Sequence, residues 1–308
     1  MARPYPVFLS LALCVAPAAS IAGEPPRLVG EFGGRAVAGS YVLVLDVAPP
    51  AVRRIDRRTL RARTTPLSVG GGTLDPYGIA ALGDGTLWAL SDKGRILVRF
   101  STTTGERLEE RKLLEPGQGV TSLWNRIGVI AIRLRAGEPL LLAAEEDGLR
   151  PFSPILSRSG ADVTAHLIGN LLRCGSGTGD AVPCWFLAGP PEVSLVRRDG
   201  SATRISIPSF ARAATRPALR RDPGAGFVYP VRDAFLEPGG LWVLSNQEGD
   251  RTPLEEGAVR GRHVGFVREG RTRRVVALDR EARAILDAGE RRLVLLYADG
   301  SIGAVAVP

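Results

Sequence analysis

The chain has 308 residues, with 40 Lys and Arg against 32 Asp and Glu, which gives a formal net charge of +8. Apolar residues make up 44% of it, so the chain can bury a core and an intrinsically disordered protein is excluded. Its 37 Gly and 23 Pro are scattered without a short period, which excludes a collagen-like protein.

The positive charge comes almost entirely from arginine, because Lys93 and Lys112 are the only lysines. The arginines are spread along the chain, and aromatic residues make up only 6% of it. A nucleic-acid surface needs clustered basic residues with interleaved aromatic side chains. We therefore predict that nucleic acid is not a partner.

Residues 1–22 have the organisation of a secretory signal peptide. Arg3 precedes a mostly apolar run from Val7 to Ala16, and small residues follow as far as Ala22. The expected cleavage lies after Ala22, with Ser20 or Ala19 as alternatives. The apolar run is too short to span a bilayer, and no later run is long enough. We expect residues 23–308 to form one periplasmic or secreted domain, a monomer without a transmembrane segment.

Short strand patterns recur six times along the rest of the chain, in steps of about 50 residues. Two copies match plainly, from Gly85 to Asp92 and from Gly239 to Asn246. The other copies begin at Tyr41, Val129, Cys184 and Leu293. Each copy has one strand-like run before it and up to two after it, with Gly-containing turn signals between them.

Four short antiparallel strands repeated six times predict an all-β fold, a six-bladed β-propeller of four-stranded blades. The last unit has only three strands. We therefore expect the strand-like run Arg27–Phe32 to complete it and close the ring. The boundaries of the units between residues 115 and 175 stay open.

Two stretches carry a resemblance to a known family. The stretch from Pro76 to Gly105, with Asp84-Gly-Thr-Leu-Trp88 inside it, resembles a blade of the NHL and gluconolactonase-like (TolB-like) propellers. The stretch from Val231 to Trp242 resembles such a blade a second time. The resemblance implies the architecture and no particular activity, because such scaffolds host lactonases, lyases, sugar-acid binding and protein docking.

Polar side chains are predicted on the face that carries the loops between second and third strands. They are Asp46, Asp75, Asp92, Asp233 and Asn246. In gluconolactonase-like proteins such side chains bind a divalent cation near the central funnel, which gives an alternative function, a divalent-cation-dependent hydrolase or lactonase whose oxygen ligands would suit Ca²⁺. The other interpretation is that these side chains only cap turns. No cofactor is predicted, and Ca²⁺ is expected only under the hydrolase alternative.

Two long insertions on the same face carry arginines that could bind an anionic ligand or an acidic protein partner. The arginines are Arg212, Arg216, Arg220, Arg221, Arg251, Arg260 and Arg262. A solvated pair of loops is the alternative. The leading hypothesis is a non-catalytic propeller that binds a partner or small anion through the loops of blades four and five.

Cys174 and Cys184 are the cysteines that remain after export, and an oxidising compartment favours a disulfide between them. Two buried thiols are the alternative. The intervening stretch from Gly175 to Asp180 lacks the lysine and helix of a phosphate-binding loop, so we expect a stapled hairpin on the opposite face.

Overall fold

The structure is a computed structural model, and it describes most of the chain from residue 31 onwards. The described residues are 31–70, 72–82, 84–114, 116–124, 126–133, 138–145, 148–154, 172–186, 192–207, 231–245, 261–289 and 291–307. Within them every regular element is a β-strand, as the sequence predicts. In the described part, no helix is long and apolar enough to cross a membrane.

The first two units are four-stranded antiparallel sheets whose strands follow one another in chain order. The first unit contains β1 (Phe32–Ala38), β2 (Tyr41–Asp46), β3 (Ala51–Asp56) and β4 (Ala62–Pro66). The second unit contains β5 (Leu74–Ala81), β6 (Thr86–Ser91), β7 (Ile96–Ser101) and β8 (Arg107–Lys112).

The third and fourth units repeat this plan. The third contains β9 (Gly117–Leu123), β10 (Arg126–Arg133), β11 (Glu138–Glu145) and β12 (Gly148–Pro154). The fourth contains β13 (Leu172–Cys174), β15 (Ala181–Phe186), β16 (Glu192–Arg197) and β17 (Ala202–Ser206), and β14 (Ser176–Gly177) leaves it to pair with the next unit.

The remaining strands form one seven-stranded sheet. It contains β14, β18 (Val231–Glu237), β19 (Gly240–Ser245), β20 (Gly261–Arg268), β21 (Arg271–Gly289), β22 (Arg292–Tyr297) and β23 (Ile302–Ala306). The first half of β21 pairs with β20 and its second half pairs with β22. We call β18–β20 with the first half of β21 the fifth unit, and the second half of β21 with β22 and β23 the sixth.

This sheet differs from the prediction of six separate blades. A 19-residue strand runs where the sequence analysis places the end of one blade and the start of the next. At this junction the register of β21 with β20 shifts, from Ala277 opposite His263 to Ala282 opposite Gly261, and the strand continues into its pairing with β22 through two further shifts, between Ala282 and Ala284 and between Ile285 and Asp287. A bulge lets a strand turn while its hydrogen-bonding ladder continues.

Buried apolar side chains hold successive units face to face. One cluster joins the first unit to the second, as where Leu43 and Leu45 pack with Ile79 and Leu87. Corresponding clusters lie between each later pair of units. A further cluster packs Val44 of the first unit against Leu286 of the sixth, so the succession of units closes on itself.

The predicted closing strand is only partly described. Residues 27–30 lie outside the described residues, so their pairing with the sixth unit stays a prediction. Phe32, which was expected to belong to that strand, instead begins β1 and pairs with Asp46 of β2. The Glu31 carbonyl also accepts a hydrogen bond from the Val47 amide at 2.8 Å, which fixes this stretch to the first sheet.

The first strands of the units approach one another very closely at the centre. A Cβ on Gly34 of β1 would lie 2.4 Å from the Gly78 Cα of β5, and a Cβ on Gly78 would lie 2.6 Å from the Val120 carbonyl oxygen of β9. Real Cβ atoms do not come so near to backbone. These two glycines therefore set how tightly the first three units can pack around the centre.

The predicted disulfide is confirmed. Cys174 and Cys184 are paired opposite each other on β13 and β15, and their sulfur atoms are bonded at 1.99 Å. The segment between them reaches the fifth unit, because β14 pairs in parallel with β18 and the Thr178 amide donates to the Leu236 carbonyl at 2.8 Å. The disulfide thus staples a hairpin that bridges two units.

We expect the double substitution Cys174→Ala/Cys184→Ala to lower the free energy of unfolding by ~2–3 kcal/mol, because the cross-link restricts the unfolded chain. Urea denaturation under oxidising conditions measures this loss. Adding a reductant should destabilise the wild type by a similar amount and leave the double variant unchanged. An equal effect of reductant on both proteins would contradict this expectation.

Candidate functional site

A central cavity of about 250 Å³ opens on the face that carries the β1–β2 and β3–β4 turns, which we call the turn face. We call this cavity the funnel. The opposite face, with the β2–β3 turn and the connections between units, is the loop face. The funnel is bounded by Arg35 and Gly39 of the first unit, Leu82, Trp124 and the glycine-rich segment after Cys174.

A buried ion pair crosses the centre beneath this opening. Arg35 of β1 and Asp233 of β18 are 198 positions apart, and the Arg35 Nη1 atom lies 2.8 and 2.9 Å from the two carboxylate oxygens. The two side chains are only 5% and 6% exposed. Arg35 also donates from Nη2 to the Ala234 carbonyl at 3.0 Å, so its guanidinium is held in one orientation.

The carboxylate of Asp233 also binds a third central strand. It accepts from the Ile285 amide of β21 at 2.6 Å and from the Ala234 amide at 2.9 Å. Burial raises the pKa of Asp233, whereas the Arg35 charge and these amides favour the ionised form. Asp233 lies at a bulge of β18, which turns its side chain towards the centre.

The glycine-rich segment forms one wall of the funnel. A Cβ on Gly175 would lie 2.1 Å from the Ala234 carbonyl oxygen, so only glycine allows the segment to lie against the fifth unit. On its other side, the Thr121 hydroxyl of β9 donates to the Gly175 carbonyl at 3.3 Å. The segment is therefore fixed between the third and fifth units.

The opposite wall carries a hydroxyl and an indole. The Ser122 hydroxyl donates to the Ala81 carbonyl at 3.0 Å and accepts from the Ala81 amide at 2.9 Å, which ties the second and third units together. Trp124 follows β9 in a left-handed backbone conformation, with φ at 50°. Such strain in a non-glycine residue is concentrated at functional sites.

The predicted carboxylates that are buried each have an arginine partner. Asp46 is buried at the end of β2, where its Oδ2 atom accepts from the Arg53 Nε at 2.8 Å. Burial raises the pKa of Asp46, and the hydrogen bond and charge of Arg53 oppose this shift. Asp46 therefore serves as the partner of Arg53 within its own sheet, and Asp233 serves as the partner of Arg35.

Two other predicted residues meet at one turn of the second unit, with Asp75 on β5 and Asp92 in the turn between β6 and β7. Asp75 accepts hydrogen bonds from the amides of Lys93 and Gly94, at 3.2 and 2.6 Å. Asp92 is exposed in the same turn, with φ at 53°. Asn246 lies outside the described residues. Among the residues that are described, no group of three or more His, Cys, Asp or Glu is placed to hold a metal ion.

The structure describes little of the predicted arginine loops. Of their seven arginines only Arg262 falls within the described residues, where it is exposed near the start of β20. The others lie outside the described residues, namely Arg212, Arg216, Arg220, Arg221, Arg251 and Arg260. Anion or partner binding by these loops stays a prediction.

Sequence reasoning did not identify the funnel. Its candidate residues were placed on the loop face and stay a prediction, whereas the described cavity opens on the turn face. It also gave no role to Arg35, whose partner is identifiable only in the folded chain. One signal was available, namely the three glycines within five residues at Gly175, Gly177 and Gly179, which mark a close backbone approach.

No protein-family model and no curated protein matches the chain. A catalytically inactive virginiamycin B lyase from Staphylococcus aureus with quinupristin is a similar solved structure, with a TM-score of 0.50 and 12% identity over 91% of this chain and 87% of that one. The nidogen–laminin complex aligns with a TM-score of 0.48 and 10% identity over 80% of each chain. BamB from Moraxella catarrhalis aligns with a TM-score of 0.43 and 13% identity over 89% of this chain and 82% of that one.

At 12% identity, the likeness to the lyase shows the fold alone. The chain is a β-propeller with four-stranded antiparallel blades. Its assignment to the NHL or gluconolactonase-like type stays a prediction.

We expect Arg35→Met and Asp233→Leu each to lower the free energy of unfolding by about 3–5 kcal/mol, because each leaves an unpaired buried charge. The double variant should lose less than the sum of the two, since it removes both charges. Arg126→Met, which removes an exposed ion pair with Glu145, is the control and should cost less than about 1 kcal/mol. Additive losses in urea denaturation would rule out this coupling.

A second expectation concerns Asp46, whose pKa is raised above the usual 3.8. A raised carboxyl pKa contributes stability that is full below the unfolded pKa and is lost as the pH rises through the folded pKa. The stability advantage of the wild type over Asp46→Asn should therefore shrink from about pH 3 to about pH 7. Urea denaturation of both proteins across this range measures it.

Asp56→Asn is the control for this measurement, because amide hydrogen bonds lower the pKa of Asp56. The stability advantage of the wild type over Asp56→Asn should therefore grow as the pH rises. If the stability advantage of the wild type over Asp46→Asn instead grew towards neutral pH, the Arg53 ion pair would affect the pKa of Asp46 more strongly than burial does.

Proposed function

We propose that this protein is an exported, non-catalytic β-propeller that binds a partner segment or a small ligand in the funnel. The observation that carries this proposal is the funnel's construction. It is an open cavity of about 250 Å³ whose wall and floor are fixed by bonds between units, including the Arg35–Asp233 ion pair. A preformed cavity reduces the entropy cost of binding.

Binding is favoured over reaction because several polar groups around the funnel already have structural partners. Arg35 is held by Asp233 and the Ala234 carbonyl. The hydroxyls of Thr121 and Ser122 bond to neighbouring units. If such a group exchanged a proton with a substrate, its structural bond would weaken and the folded protein would lose stability.

Two further parts of the proposal concern architecture and location. We propose that the fifth and sixth units are the fifth and sixth blades of a ring, since the hydrophobic cluster between them resembles those between separate sheets. We also propose export through residues 1–22. A disulfide between Cys174 and Cys184 supports this, because such bonds persist in oxidising compartments.

A thermal-shift screen of mature protein against small metabolites and short peptides, with and without EDTA, tests ligand binding. A ligand that binds the folded state raises the melting temperature. The EDTA arm tests the cation-dependent alternative, because removal of a required ion would abolish the shift.

For any hit, Ala38→Trp should weaken binding at least ~10-fold, because Ala38 lines the funnel and a tryptophan would fill it. Thr103→Trp places the same side chain on an exposed turn of the same face and should bind as the wild type does. Trp124→Ala, which widens the funnel, is a second variant if Ala38→Trp folds poorly. Unchanged affinity in both funnel variants would overturn the proposal. If only Arg216→Glu/Arg260→Glu lost binding, the site would instead lie on the loop face.

A further inference from the structure

The β20–β21 hairpin carries a concentration of positive charge that the funnel does not use. Four arginines lie within seven residues around its turn, against the single carboxylate of Glu269. They are Arg268, Arg271, Arg273 and Arg274, and we call this segment the basic hairpin. Even if Glu237 of the neighbouring β18–β19 turn is counted, the arginines outnumber the carboxylates by two to one.

Glu269 is already engaged. Its Oε2 atom lies 3.1 Å from the Arg273 Nη2, and its Oε1 atom lies 3.9 Å from the Arg268 Nε. Within the described part of the chain, Arg271 and Arg274 have no carboxylate or hydrogen-bonding partner, and both are exposed. Their guanidinium groups are therefore available to a ligand.

The strand register gathers the arginines on one face of the hairpin. Arg268 is paired opposite Arg271, and Phe266 is paired opposite Arg274. At the bulge between Phe266 and Val267, Arg273 is the extra residue of β21 and has no residue opposite it. The two pairs therefore lie next to each other on the same face of the sheet. Like charges directly opposite each other destabilise a sheet, and a bound anion would relieve that repulsion.

The same hairpin offers a strand edge. The first half of β21 pairs with β20 on one side, and among the described residues no strand pairs with its other side. An exposed edge of this kind accepts an extended peptide through main-chain hydrogen bonds, while alternate side chains give specificity. Arginines along the edge repel basic or identical strands and prevent them from pairing, but they attract an acidic strand.

We propose that the basic hairpin is a docking edge for an extended acidic segment of a protein partner. The segment pairs with the free edge of β21 and places carboxylates against Arg268, Arg271 and Arg274. Guanidinium groups bind carboxylates through paired hydrogen bonds, which gives direction as well as attraction. The basic hairpin does not line the funnel, so this proposal stands or falls independently of funnel binding.

The test uses mature protein and a fluorescein-labelled octapeptide of alternating Glu and Thr, with binding read by fluorescence anisotropy. Arg271→Ala/Arg274→Ala should weaken binding at least ~10-fold, and raising the salt from about 50 to about 300 mM should weaken it in the wild type. The same peptide with Gln in place of Glu should not bind. N-methylation of alternate peptide amides should abolish binding if strand pairing occurs.

Arg61→Ala/Arg63→Ala is the matched control, because it removes two exposed arginines at the outer strand β4 of the first unit. It has the same net charge as the hairpin variant and should bind like the wild type. Arg271→Glu/Arg274→Glu should instead bind a Lys–Thr peptide. An equal loss in the control, unchanged binding in the hairpin variant, or preferential binding of inorganic phosphate or single-stranded DNA would each overturn the proposal.

Discussion

The ion pair between Arg35 and Asp233 is the constraint on which the centre of the molecule depends. It joins the first and fifth units directly, and the amide of Ile285 brings the sixth unit to the same carboxylate. Two charges buried in this way stabilise little by themselves, because desolvation offsets their attraction. Their geometry, however, admits only one arrangement of three central strands. The pair therefore contributes mainly to the specificity of the ring.

The rest of the site follows from this arrangement. With β1 and β18 fixed to each other at the centre, the glycine-rich segment fits beside them and lies against the Ala234 carbonyl. The disulfide holds the base of that segment within the fourth unit. Gly34 and Gly78 permit the close approach of the first strands on the other side. The funnel is the volume that these contacts leave open.

The sequence predicts the strands well where a local pattern determines them. The copy at Tyr41 begins where β2 begins, and the copies at Gly85 and Gly239 begin one residue before β6 and β19, because apolar residues and flanking turn signals mark these strands. The copy placed at Cys184 is displaced, since β15 begins at Ala181.

Contacts that join distant parts of the chain were not predictable in this way. Nothing in the sequence around Arg35 indicates a partner 198 positions away. That partner, Asp233, lies at a bulge of β18, which turns its side chain towards Arg35. The candidate carboxylates were chosen because their loops were predicted to share one face of the fold. The place of Asp46 in the sequence does not show that Arg53, on the adjacent strand, binds its carboxylate. The continuity of β21 escaped prediction for the same reason, because its bulges carry no distinct sequence signal.

The unbroken course of β21 gives the two last units a different mechanical character from the others. The sheets of the first three units share no strand with another sheet, so each of these units can loosen at its border without pulling on a neighbour's hydrogen-bond ladder. The fourth unit is tied to the fifth only by the short pairing of β14 with β18. The fifth and sixth units share a single strand of 19 residues, which pairs first with β20 and then with β22. Opening either unit strains the other, and the two should exchange their amide hydrogens as one cooperative block. The seven-stranded sheet thus behaves as a single folding element.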